Sequence, residues 1–263
     1  MELGLQNKVA LLAASSRGLG KAAALELARE GCHVAITARG REALAAAAQE
    51  IGRATGTQVL AIPADVSDDR QIDEMVATVL DSFGHVDILV TNAGGPRPGT
   101  FTDMEDGDWL AAVDLNLMSA IRLIRRVLPQ MRQRRWGRII NITSVSVKQP
   151  LDNLILSNTA RAGVIGMAKT LARQVAAEGI TVNNVCPGYT LTDRVLDIAN
   201  TRAEANDTSV DAVLEEMASS VPAGRLGEPK ELAALIAFLA SERASYITGT
   251  TIQCDGGYVQ SLL

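Results

Sequence analysis

The stretch that decides the fold reads Lys8-Val9-Ala10-Leu11-Leu12-Ala13-Ala14-Ser15-Ser16-Arg17-Gly18-Leu19-Gly20. Lys8–Ala14 is an apolar run short enough for a buried strand, and Gly18–Glu30 carries apolar residues at helical spacing. Between them lies a polar turn whose two glycines have separate uses. Gly18 lets the backbone approach a bound pyrophosphate, and Gly20 lets the helix pack tightly against the strand. The free N–H groups of the helix start then face the phosphate. Ser15, Ser16, Arg17, Gly18, Leu19 and Gly20 are therefore candidate cofactor contacts.

Working outward, the same alternation repeats. His33–Ala38 reads as a second strand, followed by an Ala-rich helix from Arg41 to Ala54. Val59–Pro63, Asp87–Thr91, Gly137–Thr143 and Thr181–Cys186 are further short apolar or β-branched runs, and helical patterns fall at 68–83, 107–133 and 158–178. Strands separated by helices imply parallel pairing with right-handed crossovers. The expected fold is α/β, a doubly wound parallel sheet of about seven strands with helices on both faces, in one domain over 1–263. Its ligand site lies at the carboxyl ends of the strands. The polar stretch 191–224, with a helical patch at Val210–Met217, interrupts the alternation just past such an end. That placement suits a substrate lid, and a plain surface helix is the alternative.

Composition narrows the partners. A net charge of −5 gives no general attraction to nucleic acid or an anionic membrane. The start Met1-Glu2-Leu3-Gly4 lacks the pattern of a signal peptide, and the apolar segment Leu232–Ala240 is too short to span a bilayer, so a cytoplasmic protein is expected. Three scattered cysteines, Cys32, Cys186 and Cys254, form neither a disulfide framework nor a zinc motif. With His33 and His85 the only histidines, no metal site is expected, and both read as surface or strand-end residues.

Charge around the turn selects the nucleotide. Arg17 precedes Gly18, and Arg39 follows the second strand at Ala38, where a site for NAD(H) usually places an acid to hold the ribose 2′-hydroxyl. A 2′-phosphate meets two guanidiniums there, so NADP(H) is expected over NAD(H). Arg39 and Arg41 stand at a helix start, which the helix dipole disfavours for cations unless they serve a ligand.

Further motifs follow in order along nearly the whole chain: Asp65-Val66, Thr91-Asn92-Ala93-Gly94, Asn116 in Asp114-Leu115-Asn116, Asn141-Ile142-Thr143-Ser144, Pro187-Gly188-Tyr189-Thr190-Leu191-Thr192, Gly224-Arg225-Leu226-Gly227-Glu228-Pro229, and Ile247-Thr248-Gly249 with Asp255-Gly256-Gly257. Together they resemble the short-chain dehydrogenase/reductase family, with a flavour of its 3-oxoacyl-acyl-carrier-protein reductases. The resemblance implies that Asp65 and Val66 meet the adenine, that Asn92, Ala93 and Gly94 line the cofactor, and that Pro187, Gly188, Thr190 and Thr192 flank the nicotinamide. It also implies a structural and proton-relay role for Asn116, a catalytic role for Ser144, and a homotetramer.

Two departures stand out. The family's Thr-Gly before the loop is Ala13-Ala14, which costs strain if the second position needs a positive φ. The family's Tyr, thirteen positions after the serine, is Ser157, and its Lys, four further on, is Arg161, with Ala162-Gly163 fixing the register. Reduction of a carbonyl builds negative charge on oxygen, which needs a donor within reach. Arg161 can contact ribose hydroxyls but cannot shuttle a proton, and Ser157 is a far weaker acid than a tyrosine. Losing a general acid typically costs about 10²–10⁴-fold in rate. Tyr189 and Lys148 are substitute donors, against the plainer readings of loop packing and a solvated charge.

The basic cluster Arg132, Arg134 and Arg135 falls where such reductases meet an acidic carrier protein, but Glu178 opposes that partner and a helix C-terminus explains the cluster equally well. Arg97 faces either the substrate mouth or solvent. Two functions remain open: an NADP(H)-dependent oxidoreductase interconverting a carbonyl and an alcohol on a small molecule with a non-standard donor, and a catalytically silent dinucleotide-binding sensor or scaffold.

Overall fold

In a computed structural model describing residues 2–262, seven strands form one sheet in the order β3-β2-β1-β4-β5-β6-β7. They are β1 (Val9–Leu12), β2 (His33–Ala38), β3 (Val59–Pro63), β4 (Ile88–Thr91), β5 (Gly137–Ile142), β6 (Ile180–Pro187) and β7 (Thr251–Cys254). Every neighbouring pair is parallel. The order reverses between β1 and β4, which opens a crevice at their carboxyl ends.

The helices are α1 (Gly18–Arg29), α2 (Arg41–Thr55), α3 (Asp69–Phe83), α4 (Asp106–Val113), α5 (Ser119–Arg134), α6 (Ile155–Val175), α7 (Asp193–Ala205), α8 (Val210–Ser219) and α9 (Pro229–Ala240). Strand side chains alternate between two apolar layers, as a period of two requires. In β1, Ala10 and Leu12 join α1, α2 and α9 on one face, whereas Val9 and Leu11 join α3, α5 and α6 on the other. Helix ends follow local chemistry. Asp68 caps α3 by accepting from the N–H groups of Arg70 and Gln71, and Gly84 ends it at φ 80°.

Three expectations change. The pattern at 107–133 is not one helix: α4 and α5 are joined by a π-type turn at Asp114–Met118. Such a turn adds a residue without interrupting the backbone ladder, so apolar periodicity passes through it. The pattern at 158–178 begins earlier, at Ile155, and closes in a 3-10 turn at Ala176–Glu178 before Gly179 at φ 76°. The segment 191–224 holds two helices, with α7 preceding the expected one. Ala199 and Ala203 of α7 and Val213 and Met217 of α8 form a separate small core. Among the described residues no helix is long and apolar enough to cross a membrane.

Candidate active site

The turn after β1 is built around one carbonyl. Ala14 adopts φ 47° and Gly18 φ 57°, so the methyl of Ala14 sits in a region that L-residues disfavour. A Cβ on Gly20 would stand 2.5 Å from the Ala14 oxygen and 2.9 Å from Ser15 Cα, so only glycine fits without movement. Asn92, just past β4, donates from Nδ2 to that same oxygen at 3.1 Å. Ser15 is fully buried. Its hydroxyl donates to the Leu12 carbonyl at 2.8 Å and accepts from the Thr37 N–H at 3.1 Å, joining β1 to β2. Arg17, at the N-cap of α1, supplies no side-chain cap, which leaves first-turn N–H groups without an internal acceptor. Ser16 and Leu19 are half-buried beside them. This cradle, narrow at Gly20 and rich in free donors, fits a pyrophosphate.

At the end of β2, Arg39 is exposed and its guanidinium lies 3.9 Å from the Asp65 carboxylate. Burial pushes Asp65 up, but hydrogen bonds from the Ser67 N–H and hydroxyl, with Arg39 nearby, outweigh it and hold the carboxyl below its ordinary range. Val66 next to it is buried.

On the other side of the crevice, α6 brings Ser157 and Arg161 against the ends of β4 and β5. Ser157 is 7% exposed and Arg161 9%. Arg161 donates from Nε to Ser157 Oγ at 3.2 Å, and from its terminal nitrogens to the Ile142, Thr143 and Ala93 carbonyls at 3.3 Å each. Burial lowers the guanidinium to about 10, so it stays charged at neutral pH. Asn116 sits on the π-type turn and donates from Nδ2 to the Gly94 carbonyl at 2.9 Å, while its buried Oδ1 has no partner among the described residues. Asn116, Thr91, Thr143 and Arg161 share a cavity of about 10 Å³, room for one water. Ser144, half-buried after β5, accepts from the Ser146 N–H at 3.1 Å.

The loop after β6 closes the third side. A Cβ on Gly188 would meet the Asp255 Cβ at 2.7 Å, which presses Pro187-Gly188 onto the end of β7. The buried Thr190 donates to the Gly188 carbonyl at 3.3 Å. Thr192 caps α7, and its methyl lies 3.7 Å from where a Gly18 Cβ would be, so the β6 loop touches the β1 turn. Tyr189 packs edge-on against Tyr258 at 5.2 Å, and no hydrogen bond joins it to Ser144, Ser157 or Arg161 among the described residues. Burial raises the Cys186 thiol, opposed by the Thr143 hydroxyl at 3.1 Å and by the nearby charge of Lys148.

Other expectations resolve locally. Arg97 pairs with Asp108 at 3.1 Å and donates to the Asp103 carbonyl, holding the loop to the start of α4. Arg132 pairs with Glu178 at 2.9 Å, Arg134 with Asp87 at 3.4 Å, and Arg135 donates to the Ala177 carbonyl at 2.9 Å. The basic cluster is thus matched within the chain. Sequence reading missed a polar row that runs along the register across β4, β5, β6 and β7. Thr91 donates to Asn141 at 2.7 Å, Asn141 to Asn184 at 2.9 Å, and Asn184 to Thr251 at 3.2 Å. Polar residues inside apolar strands were the available signal. It also missed Arg194, whose guanidinium sits 4.0 Å from where a Gly95 Cβ would be, bringing α7 over the loop after β4.

A glycine-narrowed turn at the switch point, with a serine at the end of β5 on the same sheet, suits a dinucleotide-binding oxidoreductase of the α/β class. The chain matches the family model described as enoyl-(acyl carrier protein) reductase over residues 13–259, and it belongs to the short-chain dehydrogenase/reductase family. It is 39% identical to the 3-oxoacyl-[acyl-carrier-protein] reductase FabG of Staphylococcus epidermidis, covering 95% of this chain and 98% of that one. Against the same-named reductase of Vibrio cholerae it is 40% identical, covering 97% and 98%. Among solved structures, L-sorbose reductase from Gluconobacter frateurii, complexed with NADPH and L-sorbose, superposes with a TM-score of 0.96 at 36% identity over all of both chains. YwfH, an NADPH-dependent reductase involved in bacilysin biosynthesis, gives 0.93 at 32% identity, covering 98% and 100%.

Proposed function

We propose that the protein is an NADP(H)-dependent reductase of a small carbonyl compound, running the reverse alcohol oxidation under suitable ratios. The observation that carries this reading is the meeting of the free-donor turn at Gly18 and the exposed cations Arg17 and Arg39 at one edge of the sheet with Ser144 and Ser157. Relatives that carry NADPH in their names point the same way.

In this reading the α1 N–H groups with Ser16, Gly18, Leu19 and Gly20 hold the pyrophosphate, and Arg17 and Arg39 hold the 2′-phosphate. Ser15 acts through its buried ties to β2. Asp65 and Val66 border the adenine, Asn92, Ala93 and Gly94 support the ribose side, and Pro187, Gly188, Thr190 and Thr192 border the nicotinamide. The bound cofactor supplies a hydride. Ser144 orients the carbonyl oxygen, and Asn116, with its unpaired oxygen above a one-water cavity, holds a water for proton return. α7 and α8 act as a lid over 191–224, hinged at the Thr192 cap. Ser157 and Arg161 stand in for the family's Tyr and Lys, so the donor is non-standard, with Tyr189 and Lys148 the substitutes to test. Assembly as a homotetramer and residence in the cytoplasm complete the proposal, the latter suited to three free cysteines.

The test is an assay of reduced-nicotinamide absorbance with purified protein, NADPH or NADH, and a panel of ketones, quinones and 3-oxoacyl thioesters. Turnover with NADPH on at least one carbonyl is the expected result. NADPH binding with no turnover on the whole panel overturns it in favour of a second reading, a silent dinucleotide sensor. One observation favours that alternative: Arg161 is already committed to three backbone carbonyls and Ser157.

A further inference from the structure

The first turn of α7 carries a cation that the fold itself does not use. Arg194 stands just past the Thr192 cap, at the helix end whose dipole disfavours positive charge. It is exposed, and among the described residues its side chain has no hydrogen bond and no ion pair, although acids outnumber Lys and Arg by 30 to 25. Its position is nevertheless defined. The Nη2 atom lies 4.0 Å from where a Gly95 Cβ would be, so Arg194 reaches from the loop after β6 to the loop after β4. A Cβ on the neighbouring Gly94 would meet open space.

Strand order says what borders that space. β4 sits between β1, whose turn forms the glycine-narrowed cradle, and β5, which leads to Ser144. On the β1 side the lid touches through Thr192, 3.7 Å from the Gly18 Cβ position. Arg194 leans instead over the strand next to the one that carries Ser144. A second cation stands on the other side of that serine. Lys148 is half-buried, and among the described residues its side chain also has no hydrogen bond and no ion pair. Burial raises the Cys186 thiol at the end of β6, and the Lys148 charge is close enough to oppose it, as is a hydrogen bond from the Ser144 N–H. The acids of this edge have other places. Asp255 accepts from the N–H groups of Gly257 and Val259, Asp193 opens α7 where the dipole favours it, and Asp152 lies on the Tyr258 side with Arg202.

We propose that the substrate is an oxo acid, a small carbonyl compound bearing a carboxylate, and that Arg194 on the lid binds that carboxylate while Lys148 adds positive charge from the other side of Ser144. This rests on the reductase reading above and names its substrate class. A guanidinium meets a carboxylate through two parallel N–H···O bonds, which selects a planar acid over a neutral ester of the same shape. A pair of that kind is worth about 10–100-fold in affinity.

The experiment compares pairs that differ chiefly in charge: 2-oxobutyrate, 3-oxobutyrate and 4-oxopentanoate, each against its methyl ester. Rates with NADPH are measured in wild type, Arg194→Ala, Arg194→Lys and Lys148→Met. Calorimetry follows the acids binding to the NADP⁺-loaded protein, and NADPH binding to each variant. The expected result is at least one acid favoured over its ester about 30-fold in kcat/KM. Arg194→Ala brings that ratio to within about threefold, through KM rather than kcat, and keeps NADPH affinity within about twofold. Arg194→Lys retains part of the ratio, and Lys148→Met lowers it about threefold. Esters used as well as acids by the wild type overturn the proposal and leave the reductase reading standing. A ratio that survives Arg194→Ala does the same. A loss of NADPH affinity of about tenfold in Arg194→Ala puts the guanidinium on the cofactor's diphosphate and also overturns it. Equal losses for acid and ester in Lys148→Met overturn the part given to Lys148. If no carbonyl of the panel turns over, acid binding that Arg194→Ala abolishes supports the carboxylate site and breaks the reductase reading, whereas no acid binding overturns the proposal.

Discussion

The turn after β1 and the first turns of α6 stand at the same edge of one sheet, yet they have been handled oppositely. The β1 turn keeps the narrow glycine geometry and tolerates one ill-suited residue, Ala14 at φ 47°. The α6 site is tied by a side chain instead, with Arg161 joining strand ends through carbonyls. The contrast teaches that backbone shape and side-chain chemistry are separable on this fold. A phosphate cradle depends on N–H groups and close approach, which few residues can alter. On the proposed reading, proton handling depends on the two α6 side chains Ser157 and Arg161, which stand on a helix the sheet positions.

The contrast is broken most forcefully at Arg161. Arg161→Met leaves the Ile142 and Thr143 carbonyls, the half-buried Ala93 carbonyl and Ser157 without the guanidinium as donor. A loss of about 3–4 kcal/mol is expected from the cost of unsatisfied buried groups, read as a lower denaturant midpoint at unchanged slope. A loss below about 1 kcal/mol would show that the guanidinium is not holding the strand ends. Gly20→Ala comes next. Its methyl meets the Ala14 oxygen at 2.5 Å, so a loss of about 2–3 kcal/mol is expected. NADPH affinity should drop about 100-fold by calorimetry. Arg39→Ala should weaken NADPH about tenfold and leave NADH within about twofold. Equal losses for both nucleotides would place Arg39 away from the 2′-phosphate. The smallest effect belongs to Ala14→Gly. Relief of the left-handed strain offset by unfolded-chain entropy leaves a gain of about 0.5–1 kcal/mol, measured in the same melts, with NADPH binding no weaker.

Much of this was legible in the chain itself. The apolar run Lys8–Ala14, the glycines at 18 and 20, and the repeated strand–helix rhythm point to the sheet because period and turn chemistry are local properties. The strain at Ala14 was readable as a conditional, since a methyl stands where the family has a glycine. Other features depend on distance in space. The Asp114–Met118 turn hides within an unbroken helical pattern, and α7 buries only small side chains, Ala199 and Ala203, which give periodicity little to register. That Arg161 binds carbonyls from two strands, or that Arg132 is matched by Glu178, follows from packing between elements far apart in sequence.

The central claim, that the cofactor half is intact and built for a 2′-phosphate while the acid half is altered, is tested most directly by calorimetric titration of the purified protein with NADPH and with NADH. The account predicts saturable binding of NADPH at least about tenfold tighter than NADH. Equal or tighter NADH binding, or binding of neither nucleotide, would contradict it.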